Sequence, residues 1–154
     1  MKNLKKIKKN PNDPRGIDLG PLQFDFSPYS KEKLLLFYKN LLLPRRIEEK
    51  MLNLLRQGRI SKWFAGIGQE AVSVGATMAL EDDEFILPMH RNLGVFTTRK
   101  ISLKKLFAQF QGKREGFTKG RDRSFHFGSV EEKIIGMISH LGAQLGVACG
   151  VGLG

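Results

Sequence analysis

His90 and Arg91 follow an apolar run, Phe85-Ile86-Leu87-Pro88, and set an imidazole beside a guanidinium just past it. In α/β folds ligands bind in the crevice beyond the carboxyl ends of strands, so a guanidinium there points to an anion site. Arginine suits that task because its planar fork grips a phosphate through paired N–H donors, where a lysine acts only as a point charge. His90 can donate to the same oxygens. The plainer reading is a surface pair in a turn, and the residues alone leave both open.

Three other groupings bear on chemistry. The loop from Gln111 to Gly128 carries Lys113, Arg114, Lys119, Arg121 and Arg123 against Glu115 and Asp122. Its glycines allow backbone N–H groups to converge on an anion, although a mobile, solvated loop is the expectation for each base taken singly. His126 stands between Phe125 and Phe127, and in an extended segment its ring points away from both. It is either an active-site imidazole or a structural hydrogen-bonder. Gly66-Ile67-Gly68-Gln69-Glu70-Ala71 fits a G-x-G-x-x-A pattern, but Ser61 to Ala65 make a poor strand before it, so it is not read as a nicotinamide or flavin site. Gln69 and Glu70 are expected instead to cap a helix and hold neighbouring loops. The three histidines are far apart and no CxxC occurs, so no metal-ligand cluster is read from the sequence.

These residues need elements to position them. Ser30 is a plausible N-cap, with Glu32 in the first turn where a negative charge suits the helix dipole. Leu34, Phe37, Tyr38, Leu41, Leu42, Ile47, Met51, Leu54 and Leu55 then recur at helical spacing. Pro44 should kink or split that helix, and Gly58 should stop it. A second helix is expected from about Gln69 to Leu80, whose Ala71, Gly75, Ala76 and Ala79 would let another backbone approach. An acidic loop at 81–84 precedes a strand at Phe85. Ser102 can cap a helix carrying Leu103, Leu106, Phe107 and Phe110. Ile134 to Ser139 reads as a buried strand, and a small-residue helix begins near Gly142. Helices alternating with short buried strands predict an α/β layered fold. Two or three strands are too few for a finished parallel sheet, so the chain reads as the front part of a larger domain.

Composition bounds the partners. The chain has 154 residues, enough for one core, with 41% hydrophobic and 27% charged residues, as in ordinary soluble domains. Its formal net charge is +11, yet residues 1–15 alone carry five lysines and one arginine against one aspartate. Residues 1–29 are therefore read as a basic, flexible N-terminal extension and residues 30–154 as the domain. No aromatic residue interleaves the lysines before Phe24, which favours a solvated tail over a nucleic-acid arm. Leu19, Leu22, Phe24 and Phe26 are available to pack in a lead-in. No apolar run follows the lysines as in a secretory signal, and none is long enough to span a bilayer. Lone Cys149, among small apolar residues, is expected to be an inert core thiol in a reducing, cytoplasmic setting.

Five segments in this order resemble the alpha subunit, or alpha half, of the thiamin diphosphate-dependent 2-oxo acid dehydrogenases. They are Arg45-Arg46-Ile47-Glu48-Glu49, SKWFAGIGQEAVSVG, DEFILPMHRNLGVFTTR, GFTKGRDRSFHFG and GMISHLGAQLGVACG. SKWF, MHRNLG, SFHFG and ISHLG are closest to branched-chain-type and fused alpha–beta members. The resemblance implies an α/β fold, the truncated N-terminal part of a thiamin diphosphate-binding fold with a parallel sheet flanked by helices. It implies that Arg91 binds the diphosphate, with His90 replacing the family's tyrosine as donor. By the same match Ser139 offers hydrogen bonds to the aminopyrimidine and Leu141 wedges under the bent cofactor. Of a potassium site in branched-chain members, Gln144 matches one ligand, while Ala143 stands where a threonine is usual. Many relatives carry a histidine where this chain has Phe64. The family's GDG...N magnesium motif lies past residue 154, and the activating glutamate belongs to a beta partner.

For the complete protein the resemblance implies decarboxylation of a 2-oxo acid, a branched-chain one by style, with acyl transfer to a lipoyl-bearing acyltransferase. Thiamin diphosphate and magnesium are the implied cofactors, a beta subunit or beta half the implied partner, and neither a membrane nor a specific nucleic acid is expected. The chain by itself is expected to be inactive. Two other classes remain: a basic nucleic-acid-binding module, predicting steeply salt-dependent binding, and a non-catalytic truncated assembly partner docking through its small-residue helices at 71–80 and 142–154.

Overall fold

Met51, at 0% exposure, and Phe96, also at 0%, mark where the core of the domain lies. The computed structural model describes residues 25–154. The lysine-rich stretch and Leu19, Leu22 and Phe24 of the lead-in lie outside the described residues, whereas Phe26 lies within them and is exposed. Five helices follow in order: α1 (Lys31–Arg56), α2 (Glu70–Met78), α3 (Leu93–Thr98), α4 (Leu103–Phe110) and α5 (Ala143–Leu153). The first three pack on one another. None is long and apolar enough to cross a membrane.

Helix α1 begins where the sequence says it should. The Ser30 hydroxyl accepts from the Lys33 amide at 3.2 Å, and Glu32 lies in the first turn. Its end is also as expected, since Gly58 takes φ +66 just after the Gln57 cap. Pro44, however, does not split it. The helix runs through the proline, which is itself buried with Ile47, Glu48 and Met51. Burial of that stripe offsets the hydrogen bond the proline cannot donate. Tyr38 and Leu42, expected on the apolar face, are exposed.

The buried face of α2 is Ser73, Val74 and Thr77, while Ala71, Gly75, Ala76 and Ala79 are exposed. The close approach runs the other way from the sequence reading. Gly94 of α3 presses on Ser73 and Val74, so a Cβ there would collide with the Ser73 hydroxyl. Arg45 Nε meets Glu70 Oε1 at 2.6 Å and ties α1 to the start of α2. That hydrogen bond holds the Glu70 carboxyl below its ordinary range. Gln69 occupies the N-cap without a side-chain bond, whereas Glu70 accepts from the Gly68 amide at 2.9 Å.

Among the described residues no strand is present. The two runs expected to be strands meet at one parallel bridge, Ile86 with Ile134. There the Ile86 amide donates to the Lys133 carbonyl at 2.9 Å and the Ile135 amide to the Ile86 carbonyl at 3.0 Å. A ladder needs successive bridges between neighbouring chains, and one bridge does not extend into a sheet.

Aromatic rings fill the space beside that bridge. Trp63 lies 4.9 Å from Phe110 and 5.3 Å from Phe125, and Phe96 lies 5.0 Å from Phe127. These are tilted or edge-on pairs, the arrangement that ring quadrupoles favour. Burial of Phe125 and Phe127 turns the intervening His126 outward, as alternation predicts.

The basic loop at 111–128 is tied to α4 through Gln109, while Lys113, Arg114, Lys119, Arg121 and Arg123 are each exposed, as expected of the bases taken singly. Gln109 of α4 is buried, and its amide donates to Thr118 Oγ1 at 2.9 Å and to the Arg123 carbonyl at 3.1 Å. The same side chain accepts from the Thr118 amide at 2.9 Å. Replacing Gln109 with Leu takes away the partner of the half-buried Thr118 amide and hydroxyl and is expected to cost about 1–3 kcal/mol. Urea unfolding should show that loss with an unchanged denaturant slope. Ser102 stands at the N-cap of α4 without a side-chain bond. Helix α5 begins after Gly142 as expected, but none of its residues is buried. Cys149, expected in a core, is exposed among the described residues.

Candidate functional site

The turn carrying His90 and Arg91 is closed by Asn92, whose side chain accepts from the Met89 amide at 2.8 Å while its own amide donates to the Met89 carbonyl at 3.0 Å. That places both residues directly ahead of α3. Behind the turn stands Gly66, where a Cβ would collide with the Arg91 carbonyl oxygen. Gly66 is placed in turn by Glu48. One oxygen of this buried carboxylate accepts from the Gly66 amide at 3.0 Å and the other from Trp63 Nε1 at 2.6 Å. Burial, opposed by these two bonds, leaves the Glu48 carboxyl above its ordinary range.

His90 is half-buried, and its ring meets Phe64 edge-on at 5.3 Å. Burial first, then the nearby Arg91 and His126 charges, keep its imidazole below its ordinary range. At neutral pH His90 is therefore uncharged and offers one donor and one acceptor. Phe64 and His90 face each other here.

Both line a cleft of about 670 Å³. Trp63, Phe110, Phe125 and Met137 give it an apolar floor, and Arg59, Lys62 and Arg123 contribute positive charge. Across from His90 lie His126 and Ser139. His126 Nδ1 sits 3.0 Å from Asp122 Oδ1, and its Nε2 sits 2.8 Å from Ser139 Oγ. The Arg123 amide also donates to Asp122 Oδ1, at 2.7 Å, and holds the Asp122 carboxyl below its ordinary range.

Of the four residues expected to contact a cofactor, His90 and Ser139 are brought to one cleft. The Arg91 side chain is exposed beside it and does not line it. Leu141 is 84% exposed and also stands outside it. Gln144 donates to the Gly136 carbonyl at 3.3 Å. The sequence reading missed Glu48, Asp122 and Gln109. A signal existed for Asp122, which lies four residues before His126 in a short loop. No group of three or more His, Cys, Asp or Glu side chains among the described residues could hold a metal ion.

The cleft is of cofactor size, and His90, Arg59, Lys62 and Arg123 along it are donors whose chemistry suits a phosphate. Cofactor pockets run to about 300–1,000 Å³, mostly apolar with a few placed polar groups. Residues 38–154 match the family described as Dehydrogenase E1 component, and the chain belongs to that family. It is 31% identical over 138 residues to the mitochondrial 2-oxoisovalerate dehydrogenase alpha subunit of Bos taurus, covering 90% of this chain and 30% of that one. It is 30% identical over 128 residues to the mitochondrial 2-oxoisovalerate dehydrogenase subunit alpha 1 of Arabidopsis thaliana, covering 83% and 27%. It is 35% identical over 124 residues to the pyruvate dehydrogenase E1 component alpha subunit of Rhizobium meliloti, covering 80% and 36%. The chain spans about a third of the length of these curated relatives.

Proposed function

We propose that this chain forms part of the decarboxylating component of a 2-oxo acid dehydrogenase complex, acting on a branched-chain 2-oxo acid. One observation carries the reading: His90 and Ser139, from segments far apart in sequence, face one basic-rimmed, apolar-floored cleft. The named relatives supply the substrate class, since two of the three cited are 2-oxoisovalerate dehydrogenases. Bound thiamin diphosphate supplies the electron sink for loss of carbon dioxide, and the protein supplies binding and electrostatics.

His90, uncharged, donates to a phosphate oxygen without adding a second full charge, and Arg91 supplies the guanidinium beside it. Ser139 lines the same cleft and would meet the aminopyrimidine, and Leu141 keeps only the role that the family resemblance implies. The apolar floor keeps water from the reacting end. The described residues offer no ligand set for magnesium. The single parallel bridge supports a parallel sheet flanked by helices, extended by further strands of the whole protein. The uncovered apolar side chains of α5, Leu145 and Leu153 among them, support docking to a beta subunit or beta half. A lipoyl-bearing acyltransferase would receive the acyl group.

Replacing Arg91 with Ala is expected to weaken thiamin diphosphate binding roughly tenfold or more, the worth of a charged hydrogen-bonded pair. Arg91→Lys should recover only part of it. Titration calorimetry on the chain measures both, and unchanged affinity in Arg91→Ala would sink the assignment.

A further inference from the structure

The contact chain Asp122–His126–Ser139 lies in the cleft wall and has a direction. The Asp122 carboxylate, held ionised by the Arg123 amide, has no proton to give and can only accept. Nδ1 of His126 must then carry the proton in the 3.0 Å contact. In the uncharged ring this leaves Nε2 bare, so it can only accept. The partner across the 2.8 Å contact is the Ser139 hydroxyl, which must therefore donate its proton to the ring. With its one proton spent, Ser139 Oγ keeps its free lone-pair capacity for the cleft.

We propose that Asp122 and His126 fix Ser139 as a hydrogen-bond acceptor toward the cleft, so that this wall selects a ligand group that donates, an amino group above all. His126 and Asp122 are positioning residues here, acting through Ser139. The arrangement is supported from behind. Gln109 holds the Arg123 carbonyl, and the His126 amide donates to that same carbonyl at 3.1 Å, so the loop presents Asp122 and His126 as one unit. The other charged or titratable groups lining the cleft are Arg59, Lys62, His90 and Arg123; of these only uncharged His90 has an acceptor nitrogen, and the group in contact with Nδ1 is Asp122. Identifying the donating group with the amino substituent of the thiamin pyrimidine rests on the function proposed above; the direction of the hydroxyl does not.

Two measurements on the full chain test this. The first needs no ligand: nitrogen-15 NMR of His126 above the ordinary imidazole range reports which ring nitrogen holds the proton. The expected result is the Nδ1–H tautomer in the native chain and a several-fold shift toward Nε2–H in Asp122→Ala. A native Nε2–H tautomer would overturn the proposal, because Ser139 would then accept from the ring and aim its own proton at the cleft. The second compares affinity for thiamin diphosphate with that for its analogue carrying a carbonyl in place of the amino group. The native chain should prefer the amine, and Asp122→Ala should narrow that preference roughly fivefold, the worth of one hydrogen bond. A general loosening of the loop weakens both ligands and cancels in the ratio, so an unchanged ratio alongside a shifted tautomer also overturns it. If neither diphosphate binds, the cofactor reading fails while the ligand-free tautomer still decides the direction of the hydroxyl.

Discussion

Glu48→Ala should lower the unfolding free energy of the chain by roughly 3–5 kcal/mol, the largest single effect expected at any position described. The carboxylate accepts from the Trp63 indole and from the Gly66 amide, and all three lie inside the fold. Removing it leaves two buried donors without acceptors, opens a space beneath Trp63, and frees the 61–66 segment from α1. Glu48→Gln keeps the volume but offers one acceptor and one donor to two donors, so it should recover only part of the loss. The two substitutions also differ in what they do to pH dependence. The folded-state pKa of Glu48 lies above its unfolded value because burial disfavours the charge. As pH rises through the ordinary carboxylate range the unfolded chain releases this proton first. The contribution of Glu48 to stability therefore falls with rising pH until its folded-state value is passed, and is constant above that. Subtracting the Glu48→Gln stability profile from that of the native chain should reveal this downward step. A flat difference would show that Glu48 titrates alike in both states.

Gly66→Ala should separate stability from anion binding. A Cβ at this position runs into the Arg91 carbonyl, so the turn carrying His90 and Arg91 must shift. Overpacking of this kind costs about 1–3 kcal/mol, and a displaced guanidinium should lose at least tenfold in diphosphate affinity, the loss also expected of Arg91→Ala. Gly68→Ala is the informative comparison. Gly68 takes φ +92 with open space around its Cβ position, so alanine there meets backbone strain of about 1–2 kcal/mol without touching the turn. Thermal unfolding and calorimetry on both variants should show similar destabilisation but a loss of affinity only in Gly66→Ala. Equal affinities would mean that the Gly66 contact does not set the position of Arg91.

The outcome at these glycines shows what could be read from sequence. The GIGQEA pattern was legible as something other than a nucleotide fingerprint because its preceding segment made a poor strand. What Gly66 touches could not be read, since Arg91 lies twenty-five residues on and the contact is between backbones. Local signals held well. Ser30 capped its helix, Gly58 ended it, and α5 began beside Gly142. Signals that depend on partners did not hold. Pro44 is tolerated because its stripe is buried, and the apolar runs at 85–87 and 134–138 meet at only one bridge because a strand exists only through its neighbours. The Ser139 assignment rested on family resemblance and that of His90 also on its place beside Arg91; the cleft brings these two together while leaving Arg91 and Leu141 outside. Glu48 escaped notice because a carboxylate on an amphipathic helix is ordinarily solvated. Only its spacing from Pro44 and Met51, on the same stripe, could have flagged it.

Because the turn before α3 is seated through the main chain, with the carbonyl of residue 91 resting against a residue that has no side chain, its placement does not depend on which side chain residue 91 carries. The identity of that side chain can drift while its address stays constant. Substitutions at 91 should therefore retune which anions are recognised without disturbing the scaffold, making this a natural point for divergence in ligand preference and a safe one for engineering it.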